Sequence, residues 1–212
     1  SILAVTFTNK AAREMRERLA DIIHGRTLPF VATFHGLGRE LLQSYGRAIG
    51  VPRYFSVWDR DDSERAIKEA LKEMDIDPKE VPSRAILSRI SKAKGEGMTA
   101  NEFRAKHGGE GFRSRITGEV WLKYDAALER EKGLDFDDLI AKPVALLEGN
   151  AEARELAQNR FDYIHVDEYQ DTNELQGRLA NLLAAKHRNL FVVGDIDQTI
   201  YTWRGATIDN LL

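Results

Sequence analysis

Two adjacent carboxylates follow a short apolar segment in the C-terminal third of the chain. The segment Tyr163-Ile-His-Val166 has the pattern of a strand, and Asp167 and Glu168 come directly after it. A carboxylate pair at the end of a strand is typical of nucleotide hydrolases, in which one carboxylate binds Mg²⁺ and the other activates water. The pattern therefore suggests Asp167 as a metal ligand and Glu168 as a general base. Taken alone, the pair also fits a helix cap after a strand.

A second apolar segment ends in a different kind of polar residue. The stretch Leu190-Phe-Val-Val-Gly-Asp-Ile-Asp-Gln198 leads to a glutamine, and Tyr201, Trp203 and Arg204 follow it closely. A glutamine in this place can sense the terminal phosphate of a nucleotide, and exposed aromatic rings are typical surfaces for stacking the bases of single-stranded nucleic acid. We expect Arg204 to couple the two segments, either by pairing with Asp167 or Glu168 or by contacting phosphate. The sequence thus links nucleotide hydrolysis to an aromatic binding surface.

The order of strand and helix patterns predicts an α/β protein with a helical insertion. Residues 2–7, 30–33, 162–166 and 190–193 read as strands, and amphipathic helices lie between them. This alternation favours a parallel sheet flanked by helices. Strand patterns almost vanish over residues 59–134, where helical patterns follow one another. We therefore predict a sheet domain formed by residues 1–58 and 135–212, with an all-helical subdomain at 59–134.

Composition excludes several classes of function. The 212 residues contain no cysteine, so disulfides, thiolate metal sites and cysteine nucleophiles are excluded within this chain. No apolar run approaches the roughly 20 residues of a membrane span, and we expect a cytoplasmic location. The net charge is −3, but residues 84–115 are rich in lysine and arginine. This stretch, including Lys92 and Lys94, is either a solvated helical surface or a patch that contacts a phosphate backbone.

One expected element is absent from the sequence. A nucleotide-binding α/β domain needs a glycine-rich loop ending in Gly-Lys-Ser or Gly-Lys-Thr, and the 212 residues contain none. The chain also opens directly in a strand pattern. We therefore expect a sheet domain cut at its N-terminal side and no ATP turnover by these residues alone.

Five motifs, in order, resemble those of superfamily-one DNA helicases of the UvrD/Rep/PcrA type. The first is Leu3-Ala-Val-Thr-Phe-Thr-Asn-Lys-Ala-Ala-Arg-Glu-Met15, and the second is Thr33-Phe-His35. The third is Asp135-Phe-Asp-Asp-Leu139, the fourth is Val166-Asp-Glu-Tyr-Gln-Asp-Thr-Asn173, and the fifth runs from Gly194 to Ala206. A lone Asp-Glu pair would be weak support, whereas the ordered set is specific.

The resemblance implies a RecA-like first motor domain, truncated at its N-terminus, of an enzyme that uses ATP and Mg²⁺. It implies 3′-to-5′ movement on single-stranded DNA, action at single/double-strand junctions, and repair or replication proteins as partners. The implied catalytic residues are Glu168, Gln198 and Arg204, and the implied nucleotide and metal contacts come from Asp167, Glu168 and Gln198. The candidate DNA contacts are Thr6, Phe7, Asn9, Thr33, Phe34, His35, Phe136, Tyr201 and Trp203. Two alternatives stay open: a non-catalytic module that binds single-stranded nucleic acid, and the helicase subunit of a helicase–nuclease.

Overall fold

The chain folds into two compact units. A computed structural model describes residues 1–24, 27–77, 79–195 and 197. One unit contains Ser1–Arg53 together with the described residues from Lys142 onward, and the other contains Tyr54–Ala141. We call them the sheet unit and the helical unit. None of the helices in the described residues is long and apolar enough to cross a membrane.

A four-stranded parallel sheet forms the centre of the sheet unit. Its strands are β1 (Ile2–Thr6), β2 (Phe30–Thr33), β5 (Tyr163–Val166) and β6 (Leu190–Val192), in the spatial order β2-β1-β5-β6. In the register, Val5 pairs with Ala32 on one side and with Val166 on the other. Every described strand of this sheet runs in the same direction, which confirms the predicted parallel α/β fold.

The helices of the sheet unit start at residues that the sequence marks as caps. The helices are α1 (Asn9–Ile22), α2 (Phe34–Tyr45), α7 (Asp138–Gly149), α8 (Ala151–Arg160) and α9 (Glu174–Ala184), and α7 begins in the helical unit. The Thr8 hydroxyl accepts a hydrogen bond from the Ala11 amide, and Thr33 does the same for Gly36. These caps start α1 and α2 directly after the ends of β1 and β2, so both loops stay short.

The two faces of β5 differ in exposure, and β6 is largely exposed. Ile164 and Val166 point into the core, whereas Tyr163 and Phe191 are 53% and 59% exposed. On the part of the sheet near β2, α1 packs against Ala4 and Val31 through Ala12. Parallel sheets usually bury both faces, so the apolar surface of Tyr163 and Phe191 is an unusual feature of the described residues.

In its described residues the helical unit consists of four complete helices, the start of α7 and one small pair of strands. The helices are α3 (Arg60–Glu73), α4 (Ser83–Gly95), α5 (Ala100–His107) and α6 (Phe112–Arg130), and the strands are β3 (Ser56–Val57) and β4 (Gly133–Leu134). Its core surrounds Trp121 and Tyr124 of α6, which are almost fully buried. The β3–β4 pair is parallel, so the unit is not helical throughout. The unit also continues on both sides of residues 59–134, because these strands and the turn after β4 pack with it.

Candidate active site at the sheet edge

The four strands seen in the described part of the sheet unit end at the same edge. Since the strands are parallel, their carboxyl ends place Thr6, Thr33, Asp167 and Val193 along one side of the sheet. The Asp167 amide donates a 2.9 Å hydrogen bond to the Val5 carbonyl, which holds the end of β5 against β1. Loops at the carboxyl ends of strands are where α/β proteins bind ligands. The predicted catalytic carboxylates therefore lie in the expected place.

Glu168 has a backbone conformation that is rare for a side-chain-bearing residue. Its φ angle is 53°, in the left-handed region, and its side chain is exposed. Such conformations cost about 1–3 kcal/mol and persist only where the surrounding structure imposes them. Two amides next to it are held by the neighbouring structure: Tyr169 donates to the Val193 carbonyl at 2.9 Å, and Asp171 donates to the Glu168 carbonyl at 3.0 Å. The turn therefore directs the Glu168 carboxylate away from the core.

Gln170 connects the Glu168 carboxylate with the loop that follows β6. Its Nε2 donates a 2.6 Å hydrogen bond to Glu168 Oε2, and its Oε1 accepts a 3.0 Å hydrogen bond from the Asp195 amide. Gln170 is only 1% exposed. A Cβ atom at Gly194 would lie 2.6 Å from Gln170 Oε1, so any larger residue there would displace this side chain. We therefore expect Gln170 to position the Glu168 carboxylate.

Sequence reasoning missed Gln170, although a signal was present. A glutamine two residues after a catalytic carboxylate, in a turn between two apolar elements, is a polar residue that must find partners if it is buried. The sequence does not state that it is buried. Only the packing of the turn under the loop after β6 reveals this.

Two buried oxygens at the same edge have no hydrogen-bond partner within the described part of the chain. They are Thr6 Oγ1 and Asp171 Oδ1. Burial and, secondarily, the negative charge of Glu168 raise the pKa of Asp171. A buried polar atom without a partner costs free energy unless a ligand or water satisfies it. These atoms mark the edge as a polar site.

The carboxylates at this edge suit Mg²⁺ bound together with phosphate. No group of three or more metal-binding side chains occurs among the described residues, so a cage made by protein alone is not present there. Mg²⁺ bound to nucleotides usually keeps several waters and takes one or two carboxylates plus phosphate oxygens. The half-buried Asp167 carboxylate meets that smaller requirement, which leaves the exposed Glu168 carboxylate available to water.

The candidate DNA contacts of the sheet unit fall into two groups. Phe7 and His35 are half-buried and Asn9 is exposed, so these three side chains have accessible surface near the ends of β1 and β2. The second group is buried: Thr6 is inaccessible, Thr33 caps α2, and Phe34 is 2% exposed in the core. Phe34 offers no ring face to a base in this structure, because α2 begins with this residue and packs it inward.

The remaining candidates lie elsewhere. Phe136, in the helical unit, is 57% exposed between the buried residues Asp135 and Asp138. Gln198, Tyr201, Trp203 and Arg204 lie outside the described residues.

The basic stretch is less available to phosphate than its composition suggests. Neither alternative, a solvated surface or a phosphate contact, holds for Lys94, because Lys94 is 4% exposed and forms ion pairs inside the helical unit. Arg84 forms an ion pair with Glu64 at 3.0 Å, and Arg104 with Glu119 at 2.8 Å. Lys92 is largely exposed, and its nearest ionic partner is Glu96 at 4.0 Å. Lys92 therefore keeps the capacity to contact phosphate.

A parallel sheet with paired carboxylates at its carboxyl edge and a helical insertion is an arrangement found among α/β nucleotide-binding proteins. The pattern of the UvrD/REP helicase N-terminal domain matches residues 1–212, so the chain belongs to that family. It is 45% identical over 213 residues to the ATP-dependent DNA helicase PcrA of Bacillus subtilis (strain 168). The identity is 43% to PcrA of Staphylococcus aureus (strain Mu50) and 41% to PcrA of Leuconostoc citreum. The whole chain is covered in each case, but it spans only 28–29% of these relatives.

Proposed function

We propose that this chain forms most of the first motor domain of an ATP-dependent DNA helicase or translocase. The observation that supports this most directly is the arrangement at the end of β5. There Asp167 and the strained Glu168 lie at the carboxyl edge of a parallel sheet, and Gln170 connects Glu168 with the loop after β6. Membership of the UvrD/REP helicase family and the similarity to PcrA helicases support the same assignment. The proposal covers movement from 3′ to 5′ on single-stranded DNA and at single/double-strand junctions.

The chemistry follows from the two carboxylates. When bound, ATP supplies the phosphoryl group and Mg²⁺ offsets its negative charge. Asp167 would hold the metal, directly or through water. The Glu168 carboxylate would accept a proton from water while the water oxygen forms a bond to the γ-phosphorus and the bond to the ADP oxygen breaks. Gln170 would keep Glu168 in place, and we assign Gln198 and Arg204 to contact with the γ-phosphate and to coupling.

The DNA contacts in this proposal come from accessible side chains. Phe7, Asn9 and His35 are near the sheet edge, and Phe136 offers an exposed ring in the helical unit. Tyr201 and Trp203 stay in the proposal as stacking residues on the basis of their sequence alone. We assign Thr6, Thr33 and Phe34 to supporting the edge, because their burial leaves no surface for direct contact. The proposal places the enzyme in the cytoplasm, with DNA repair or replication proteins as partners.

Substitution of Glu168 by glutamine in the full-length protein tests the catalytic assignment. Glutamine keeps the size and hydrogen bonding of the side chain but removes the proton acceptor. We expect DNA-stimulated hydrolysis to fall by roughly 10²–10⁴-fold while binding of a fluorescent ATP analogue persists. Glu174→Gln is the matched control, because Glu174 is an exposed carboxylate at the start of α9. A Glu168→Gln variant with nearly normal turnover would assign the base to another residue.

Direction and substrate are tested with tailed duplexes. The full-length protein should unwind a duplex with a 3′ single-stranded tail and leave one with a 5′ tail largely intact. Unwinding only from the 5′ tail would refute the proposed direction. Binding of single strands without hydrolysis would favour the non-catalytic module instead.

A further inference from the structure

Lys94 is a buried cation whose partners surround the turn after β4. Its Nζ lies 2.7 Å from Asp135 Oδ2, 2.9 Å from Asp138 Oδ1 and 3.9 Å from Asp125 Oδ1. Burial by itself lowers the pKa of Lys94, but the charges of Asp138, Asp135 and Asp125 outweigh burial, and the pKa is raised. The ammonium group therefore stays charged inside the helical unit. It connects α4 with a turn about 40 residues further along the chain.

The turn itself is fixed by hydrogen bonds on both sides. Asp135 Oδ1 accepts a 2.8 Å hydrogen bond from the Asp138 amide, which starts α7. The Tyr124 hydroxyl lies 3.0 Å from Asp135 Oδ2 and 2.9 Å from Ser63 Oγ. Asp135 and Asp138 are both buried, so their carboxylates depend on these partners for compensation of charge.

Phe136 lies inside this fixed turn but points to the surface. Its ring is 57% exposed, although the residues on either side of the turn are buried. Exposing a large aromatic ring forgoes the favourable free energy of burying it. A flexible turn could move the ring to a less exposed position, whereas a turn held by Asp135 and Asp138 cannot. The ion cluster therefore determines where the ring is.

A contribution to stability alone does not account well for such a cluster. Buried ion pairs are often no more stabilising than apolar residues of the same volume, because removing both charges from water is costly. Their best-supported benefit is that they select one arrangement among several. In this molecule the selected arrangement is that of the segment containing Phe136.

We propose that Lys94 is a positioning residue for nucleic-acid binding: it fixes the turn of residues 135–138 so that the Phe136 ring faces a base of single-stranded DNA. This inference rests on the proposed function, in which Phe136 contacts DNA. Lys94 does not touch the DNA. It acts through Asp135 and Asp138.

A double-mutant cycle in the full-length protein tests this. Binding of fluorescent oligo(dT) is measured for Phe136→Ala, Lys94→Met and the double variant. Loss of a stacking contact is expected to weaken binding about 5- to 150-fold for Phe136→Ala. Lys94→Met should have a similar effect, and the double variant should bind within about twofold of the weaker single variant. Multiplying effects would overturn the proposal, because they would show that Lys94 acts independently of the ring.

Salt dependence separates positioning from direct phosphate contact. Lys94→Met should leave the slope of log affinity against log salt unchanged, because a buried ammonium group releases no counterion from DNA. Lys123→Met is the matched control: it removes a lysine of the same unit whose ion pair is with Glu73 at 2.8 Å and not with a carboxylate of the turn. A reduced salt slope for Lys94→Met alone would overturn the proposal in favour of phosphate contact.

Two further variants control for the effect of Lys94→Met on folding. Lys94→Met leaves buried carboxylates uncompensated, so Lys94→Met/Asp135→Asn/Asp138→Asn and Tyr124→Phe are tested beside it, with folding checked by thermal unfolding. A folded triple variant that binds oligo(dT) as tightly as wild type would refute the positioning role.

If Phe136→Ala binds normally, the DNA contact of Phe136 is wrong and the proposal fails with it. If only Phe136→Ala weakens binding, the contact stands and the role of Lys94 is refuted.

Discussion

Replacing Gln170 with methionine would remove both hydrogen bonds that connect Glu168 with the loop after β6. Methionine has a similar length and no amide, so the side chain still fills the buried space. The bond to Glu168 is charge-assisted and 2.6 Å long, a class that contributes about 1.5–3 kcal/mol. If this free energy orients the general base in the transition state, kcat for ATP hydrolysis falls about 10- to 150-fold. We expect KM for ATP to change little, because Gln170 contacts the base and not the nucleotide.

The control for this experiment is another buried glutamine of the sheet unit. Gln158 lies in α8 and donates a 2.7 Å hydrogen bond to the Leu182 carbonyl, away from the carboxyl edge of the sheet. Gln158→Met should lower the free energy of unfolding by about 1–3 kcal/mol, as Gln170→Met should, but leave kcat unchanged. The assay is steady-state hydrolysis by the full-length protein with saturating DNA, well below either variant's melting temperature. A Gln170→Met variant with kcat within twofold of wild type would refute the positioning role of Gln170.

Two further predictions concern base stacking and pH. Trp203→Ala should weaken binding of single-stranded DNA by roughly 1–3 kcal/mol and change the slope of log affinity against log salt little. A large drop in melting temperature with unchanged DNA affinity would instead make Trp203 a core residue. Lys92→Ala should flatten that slope if Lys92 meets phosphate. Burial, and then the charge of Asp135, raises the pKa of Asp137 from 3.8 to about 6. The folded state therefore holds the proton of the Asp137 carboxyl more tightly than the unfolded chain does. The protein loses this stabilisation as the pH rises from about 4 to 6. Asp137→Asn should therefore stabilise the protein at pH 7.5 by at most about 3 kcal/mol and have little effect near pH 4. Thermal unfolding of both proteins at the two pH values measures this. Equal effects at the two pH values would contradict the raised pKa of Asp137.

The strands and the location of the carboxylates could be predicted because they depend on local patterns. A short, largely apolar run followed at once by Asp167 and Glu168 specifies both a strand and the polar residues at its end. Thr8 and Thr33 likewise mark helix starts by the ability of a hydroxyl to accept an amide hydrogen bond within the next turn. Parallel pairing then brings distant strand ends to one edge without further information.

The misjudged residues are those whose environment is set by distant parts of the chain. Lys94 follows a lysine-rich pattern that is typical of a solvated helix, but its partners Asp135 and Asp138 lie 41 and 44 residues away. Phe34 begins a helix whose inner face is known only once the sheet has formed. The predicted limits of the helical unit, 59–134, are narrower than those of the unit in the structure, Tyr54–Ala141. The strands β3 and β4 near its ends have two residues each, which is too short to show a strand pattern in the sequence.

The Gln170 contact gives a physical route from the loop after β6 to the expected general base. The left-handed backbone of Glu168 is not a conformation that the residue adopts readily alone, so the orientation of its carboxylate depends on the neighbours that hold the turn. One of them is Gln170, whose side-chain Oε1 accepts a hydrogen bond from the Asp195 backbone amide. Asp195 lies three residues before Gln198. Movement of that loop by more than about 1 Å would break the 3.0 Å hydrogen bond and release Gln170 from its position. We therefore expect the orientation of the Glu168 carboxylate to depend on the segment that holds the expected phosphate sensor and stacking aromatic residues.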